Sequence, residues 1–455
     1  MDARLALAAL AKRSIDVQYY LLQDDRTGRA LLRSLKVAAQ RGVRIRVLVD
    51  DLYTAGDEAL LRGLAASPNV EVRLFNPFAS GRAFAATRWL FAAFDFARVN
   101  HRMHNKVFIV DGTFAVAGGR NIADEYFFRS EEGNFVDFDL LLAGPAVTEL
   151  GAVYDRYWNS TRVYPLSSFE AGPVPVAERQ ARFDASVSSA ESTFPPLSDE
   201  ALDALGQRSV SHDLQRPPMT FLRGQVDVWA DDPEKVSGRS ELGNDETTVT
   251  SHMLGAVGGA RRSVVLVSPY FVPSSIGMSA IESARRRGVD VSVLTNSMAA
   301  TDEVMVSAAY ARYRETLLKM GVSISEISAS ALGRDEAIGP QLGKSKGRMH
   351  AKLLVIDSEE TFVGSMNLDL RSSRENTELG LFIRSPELAA QVQKLVHGLE
   401  ATGSFSVRFD DATGRVQWLE KGDEAIDVFD DEPGVDGWTR LKVWMLSPFV
   451  GERLL

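Results

Sequence analysis

The sequence predicts an α/β protein of two homologous lobes, each a mostly parallel sheet flanked by helices, related by a pseudo-twofold axis with one shared site between them. Three observations predict it. The string RMHNKVFIVDGTFAVAGGRN (102–121) recurs in altered form as RMHAKLLVIDSEETFVGSMN (348–367), and each shared position is displaced by the same 246 residues (350 − 104 for the histidines, 352 − 106 for the lysines). His, Lys, Asp, Gly and Asn in fixed register should arise by chance on the order of once in a million start positions or fewer, so two occurrences mark a duplication. The offset also holds upstream, where AQRGVRIRVLVDD (39–51) matches ARRRGVDVSVLTN (284–296). Finally, strand-like and helix-like segments alternate in both copies, as in sheets with helices on their faces.

The elements follow in chain order. A helix over Arg4–Arg13 runs into a strand at Ile15 (KRSIDVQYYLL), and RRSVVLVSPYF repeats that entry in the second copy. Gly42 and Gly288 each stop a helix before a β-branched strand. After each motif, LLLAGPAVTELGAVYDRYW and LFIRSPELAAQVQKLVHGL read as a strand, a Pro at a helix start (Pro145, Pro386) and an amphipathic helix. These patterns place a first lobe at 1–160, a Pro-, Ser- and acid-rich connector at 161–246, a second lobe at 247–404 and a C-terminal hairpin with an aromatic, basic helix at 405–455. Within the connector, Asp231–Glu246 combines charge, Gly and Ser with few apolar residues, the composition of a mobile loop.

Composition narrows the chemistry. The 455 residues lack Cys, which excludes disulfides, thiolate nucleophiles and Cys-ligated metals. A net charge of -10 argues against non-specific nucleic-acid binding, which needs basic surface to displace counterions. No apolar run reaches the length of a membrane span. Because the chain starts inside a helix, an upstream anchor or signal segment is allowed for.

His104 and Lys106 stand two apart at the start of an apolar strand, so both project from one face. Asp111 falls an odd number of residues from each and is assigned to structure, as a turn or ion-pair partner. Gly118 and Asn121 follow the next apolar run, FAVAG, where a small residue lets backbone approach a ligand and an amide can bind an oxyanion. The second copy supplies His350, Lys352, Asp357, Gly364, Ser365 and Asn367 in the same order. Two facing lobes would converge two His, two Lys and two Asn on one pocket, which suits a phosphodiester. Lysines and amide or hydroxyl donors hold the non-bridging oxygens, one imidazole attacks, and the other protonates the leaving alcohol. That chemistry requires no metal or other cofactor, and the sequence shows no carboxylate cluster of the two-metal type.

This constellation resembles the phospholipase D superfamily, whose signature is HxKx4D, six residues, then GSxN; both copies meet the spacing. The strings DVQYYLLQDDRTGRALLRSL, GGRNIADEYF, GSMNLDLRSSRENTELG and WTRLKVWMLSP are similar to its bacterial cardiolipin synthase branch, over essentially the whole chain. The resemblance implies two phospholipase D-like lobes that transfer a phosphatidyl group between phospholipids through a phosphohistidine, with phospholipase D hydrolysis as the related reaction and nucleic-acid cleavage as a remoter one. It further implies His104 as nucleophile, His350 as acid and base, and a downstream carboxylate orienting each histidine. In the second copy that carboxylate is Glu378; aligning Pro386 with Pro145 places Asp137 opposite it, with Asp139 competing. Gly119 departs from the signature where Ser365 keeps it, which marks the half-sites as unequal. The implied partners are phosphatidylglycerol, with phosphatidylethanolamine as a second candidate, and the surface of the bacterial cell membrane, bound peripherally; nucleic acid is not expected.

Other features carry weaker readings. His101, His212, His252 and His397 lack motif partners and are read as structural, His101 near the entrance; Asp50 and Asp51 are read as caps of the following turn rather than metal ligands. The segment 82–100 has Phe, Trp and Arg at helical spacings and reads as a core helix, with a membrane-interface helix as the alternative. WTRLKVWMLSPF invites the same pair of readings. Lys344, Lys346 and Arg348 are read as a solvated loop or as a recruiter of anionic headgroups.

Overall fold

A computed structural model describes residues 1–55, 58–78, 87, 95–169, 174–188, 194, 203, 207–216, 219–237, 248–335, 338–422 and 425–446. Most of 82–100 and all of 238–246 lie outside these residues, as do the readings made for them.

Each lobe is built on one sheet. In the first lobe β1 (Ser14–Tyr19), β2 (Arg44–Asp50) and β3 (Val70–Phe75) pair in parallel, joined by helices α1 (Asp2–Leu10), α2 (Arg26–Gln40) and α3 (Glu58–Ala65) before or between them. The motif strands β4 (Val107–Val110) and β5 (Phe114–Gly118) then add antiparallel to β1, followed by β7 (Asp139–Ala143); β8 (Val163–Pro165) closes the other edge, in the order β7-β5-β4-β1-β2-β3-β8. The second lobe repeats the centre with β10 (Ser263–Val267), β11 (Asp290–Asn296) and β12 (Ser323–Ile327) in parallel and β14 (Leu353–Ile356), β15 (Glu360–Gly364) and β16 (Leu379–Arg384) antiparallel. The expectation of mostly parallel sheets is thereby corrected to mixed sheets. Within these two sheets the parallel pairs are the helix-connected ones, and the three residues Asp111–Thr113 between β4 and β5 can close a hairpin but cannot house a crossover.

The second sheet also draws in flanking chain. From the segment read as connector, β9 (Gln225–Ala230) pairs with β16, and from the C-terminal part β17 (Ser404–Asp410), β18 (Arg415–Lys421) and β19 (Ile426–Phe429) extend the sheet beyond β12 to ten strands. The loop expected to be mobile from Asp231 is corrected over its first residues. Asp231 is 1% exposed, ion-paired to Lys235 at 2.6 Å, and accepts hydrogen bonds from the backbone of Val249 and Glu378. A buried carboxylate with that many donors is held rather than free.

The lobes join through reciprocal contacts. Strand β13 (Lys346–Met349), which leads into His350, pairs in parallel with β6 (Gly133–Val136) of the first lobe; in return Met103 bridges Thr377 of the second. The amide of His350 donates to the carbonyl of Val136, and that of His104 to the carbonyl of Thr377, each at 2.8 Å. Each histidine thus enters beside the segment that ends one residue before the other lobe's downstream carboxylate, Asp137 or Glu378. A continuous apolar core crosses this junction, including Met103 and Val107 from one lobe and Met349 and Leu353 from the other.

Candidate active site

The two histidines sit where the motif strands begin, held by structure on every side. Asp50, at the end of β2, accepts from the amides of Leu52 and Met103, so it caps its turn and also fixes the residue before His104. Asn296, at the end of β11, does the corresponding work in the second lobe, exchanging two hydrogen bonds of 2.9 Å with Met349. Asp111 and Asp357 both adopt left-handed backbone (φ 55 and 54) in the turns after the motif strands. Their carboxylates accept from the amides of Lys12, Arg13 and Ser14, and of Arg261, Arg262 and Ser263, pinning the entries to β1 and β10.

The orienting carboxylates are exchanged between lobes. His104 Nδ1 lies 3.0 Å from Glu378 Oε2, and His350 Nδ1 lies 2.6 Å from Asp137 Oδ2. This corrects the expectation that each histidine takes the carboxylate downstream in its own copy; the reciprocal strand docking delivers it from the opposite lobe. Asp139 does not reach a histidine: Arg4 binds it at 2.8 Å, tying α1 to β7. Glu378 is in turn backed by Ser365 Oγ, which donates to Oε2 at 2.5 Å. That hydroxyl, expected to face a phosphate, is thus engaged by the carboxylate. At the matching position a Cβ on Gly119 would stand 2.1 Å from Asp137 Oδ1. The shorter carboxylate is therefore accommodated by glycine where the longer one is braced by serine. Gly118 and Gly364 likewise admit a neighbouring strand rather than a ligand, since an added Cβ would press on Phe138 and Asp139 or on Leu379 and Gly380.

Lys106 and Lys352 curl back over their own strands, each ammonium donating to the carbonyl of the histidine two residues earlier, Lys106 at 2.6 Å. Lys352 also reaches the His350 ring, 2.7 Å from Nδ1. Asn121 donates to the Tyr126 hydroxyl at 2.9 Å, and the amide oxygens of both Asn121 and Asn367 are buried without a partner. A half-turn of either amide presents its NH2 instead, so both side chains hold capacity for a ligand. Aromatic rings wall the imidazoles: Tyr20 stands edge-on to His104 at 4.9 Å, Tyr126 to His350 at 5.1 Å, with Phe135 at 4.9 Å. These rings were not among the site residues read from the sequence, although Tyr20 follows β1 directly and Tyr126 lies five residues past Asn121.

Burial dominates the electrostatics. It lowers His104 to about 4, opposed by Glu378 and reinforced by the two lysines, and holds His350 well below its ordinary value. It also lowers Lys106 to about 7 and Lys352 to about 8, against the pull of the carboxylates. The carboxylates diverge. Burial raises Asp137 to about 6, whereas burial of Glu378 is outweighed by His104, Lys106 and Ser365, which hold it below the ordinary range. At neutral pH His104 thus presents a free imidazole backed by an ionised carboxylate. Among the described residues no group of three or more His, Asp or Glu is placed to hold a metal ion.

The remaining singled-out residues lie off the centre. His101 tethers the lobes through Glu375, at 3.1 Å from its carbonyl and 3.0 Å from its carboxylate. His252 stacks on Trp229, and His212 contacts Asp213. Asp51 caps its turn through Thr54 and accepts from the amide of Phe78. Lys344 and Lys346 are exposed near β13, and Arg348 is half-buried beside Gly133.

A family model described as "Cardiolipin synthase, PLD-like domain" matches residues 5–158 and 253–399. Cardiolipin synthase C of Escherichia coli (strain K12) is 35% identical over 100% of this chain and 93% of its own length. Cardiolipin synthase of Geobacillus kaustophilus (strain HTA426) is 27% identical over 82% of this chain and 58% of its own. The crystal structure of phosphatidylserine synthase from Haemophilus influenzae Rd KW20 covers 99% of this chain, and 91% of that chain, with a TM-score of 0.61 at 15% identity, a likeness of fold.

Proposed function

Because the chain belongs to the cardiolipin synthase family of phospholipase D-like proteins, we propose that it transfers a phosphatidyl group between phospholipids at this two-histidine site. The carrying observation is the cross-lobe pairing, which gives each imidazole a carboxylate at Nδ1 and so reserves Nε2 for the reaction, with the Lys352 ammonium 3.1 Å from that of His350. His104 Nε2 attacks phosphorus, the bond to the headgroup alcohol breaks, and His350 gives the leaving oxygen its proton. The hydroxyl of a second lipid then loses its proton to His350 and attacks phosphorus, the P–N bond breaks, and His104 is released. Lys106 and Lys352, with the amides of Asn121 and Asn367, balance charge on the non-bridging oxygens.

The unequal carboxylates support this division of roles. An ionised Glu378 keeps the proton of His104 on Nδ1 and the lone pair on Nε2, as a nucleophile needs. Asp137, raised to about 6, is protonated in a minor fraction of the enzyme at neutral pH; its O–H then donates to Nδ1, so that the neutral imidazole of His350 carries a proton on Nε2 for the leaving oxygen. Phosphatidylglycerol is the proposed substrate, with phosphatidylethanolamine as the second candidate. Peripheral membrane association is supported by Trp438, exposed at 62%, and by Leu441 and Met445 on the same face of the helix Gly437–Leu446. Among the described residues no helix is long and apolar enough to cross a membrane.

Incubation with phosphatidylglycerol vesicles, alone and mixed with phosphatidylethanolamine, followed by mass spectrometry tests the reading. Cardiolipin, with release of one equivalent of glycerol or ethanolamine, is expected. Phosphatidic acid without cardiolipin would replace the transferase with a hydrolase.

The lysines give the pH dependence. Each is charged below its own pKa, so kcat/KM, which reports the free enzyme, is expected to fall as pH rises through about 7 to 8. Lys106→Arg keeps its charge at any working pH. It should lower the rate overall while moving the onset of the alkaline fall upward, toward the value set by Lys352. A fall at unchanged pH would assign that limb to another group.

A further inference from the structure

Helix α1 (DARLALAAL) is apolar on more faces than the fold uses. Leu7 and Ala8 are buried in the first lobe, whereas Leu5 and Ala6 are only half-buried and Ala9 and Leu10 are exposed. An apolar surface on all sides of a helix calls for an apolar neighbour on all sides. Here the second face lines a cavity of about 610 Å³, closed on its other side by Tyr126, Phe127, Phe128 and Leu214. That volume lies within the span of small-molecule pockets, and the lining is of the apolar kind such pockets show.

The cavity borders the catalytic centre at Tyr126. Tyr126 belongs to both, since its ring packs on His350 and its hydroxyl accepts from Asn121. Arg120, next to Asn121 in the chain, supplies a cationic side chain to the lining; its nearest carboxylate, Asp139, is 3.7 Å away and more closely paired with Arg4 at 2.8 Å. From the apolar lining past Arg120 to Tyr126 and the His350 imidazole on its far side, the order of groups follows the parts of a phospholipid: acyl chain, ester-linked glycerol, phosphate.

We infer that this cavity binds one acyl chain of the phosphatidyl group while its phosphate lies between His104 and His350. The inference rests on the proposed phosphatidyl transfer and adds to it that the site measures chain length. Hydrocarbon burial along α1 would hold the donor in register, and Arg120 would meet the ester region.

Filling the cavity tests it. Ala6→Trp and Leu214→Trp are to be compared with the unmodified enzyme on dihexanoyl- and dioleoyl-phosphatidylglycerol, both in detergent micelles. The long-to-short ratio of kcat/KM should drop by about tenfold or more, the effect of denying burial to two or three methylenes. An unchanged ratio in a folded, active variant overturns the inference and leaves phosphatidyl transfer intact. An unmodified enzyme inactive on both lipids overturns the functional reading, and the acyl site with it. Should both fillings unfold the protein, Ala9→Trp, at an exposed position, gives a second readout. Phosphatidylglycerol brominated along its chains should quench the added indole saturably, and an absence of quenching counts against the site.

Discussion

His104→Ala is expected to lose activity by on the order of 10⁴-fold or more, because a nucleophile acting in a tightly coupled unit takes nearly all of the unit's contribution with it. His350→Ala should differ in kind as well as size. Loss of a general acid and base costs about 10²- to 10⁴-fold, and it falls on both half-reactions, since the group that protonates the first alcohol must deprotonate the second. With a donor whose leaving group needs little protonation, such as a p-nitrophenyl phosphodiester, His350→Ala should still form the phosphohistidine and then stall. Acid-labile phosphate should accumulate on His104, mapped by mass spectrometry of peptides kept at alkaline pH. Phosphate found instead on His350, in the His104→Ala protein, would reverse the roles. The environments favour the stated order: both imidazoles are neutral at pH 7, yet only His104 is backed by a carboxylate held below its ordinary range.

The duplication, the two-lobed plan and the residues that gather at the centre were legible because all depend on local pattern. A fixed offset, a period of two along a strand and Gly helix stops survive in one dimension; Gly42 and Gly288 do adopt positive φ (92 and 85). The parallel sheet was over-read, and the signal against it was present, since three residues between VFIV and FAVAG leave room only for a hairpin. What could not be read is which strand lies beside which across the lobe junction. Nothing in the composition of β6 or β13 announces their pairing, and it is this pairing that carries Asp137 to His350. The same holds for Asp231. Its acidic, Gly- and Ser-bearing surroundings read as a solvated loop, whereas its carboxylate is satisfied by Lys235 and by the amide of Glu378 only once β9 has joined the second sheet.

The exchange of carboxylates has its own consequence. Glu378→Gln keeps the shape of the side chain but replaces an acceptor with an amide whose NH2 can donate to His104 Nδ1. The imidazole would then carry its proton on Nε2, where the attacking lone pair has to be. A loss on the order of 10⁴-fold is the effect of such a tautomer error when an orienting carboxylate of a catalytic triad becomes its amide. Asp137→Asn should act likewise on His350. The decisive measurement is spectroscopic: ¹⁵N chemical shifts of the two imidazoles distinguish their tautomers in each variant. Glu378→Gln is expected to invert His104 and leave His350 as it was, and Asp137→Asn to do the reverse. If each substitution instead perturbed the histidine of its own lobe, the reciprocal docking of β6 with β13 and of Met103 with Thr377 would not be the arrangement in solution. Exchange across the junction means that neither half-site is complete within one lobe: His104 depends on a carboxylate that is in place only when the second lobe is docked, and His350 on one supplied by the first. Variants that loosen the junction without touching either histidine, such as His101→Ala, which removes the tether to Glu375, would then lower kcat through both half-reactions together.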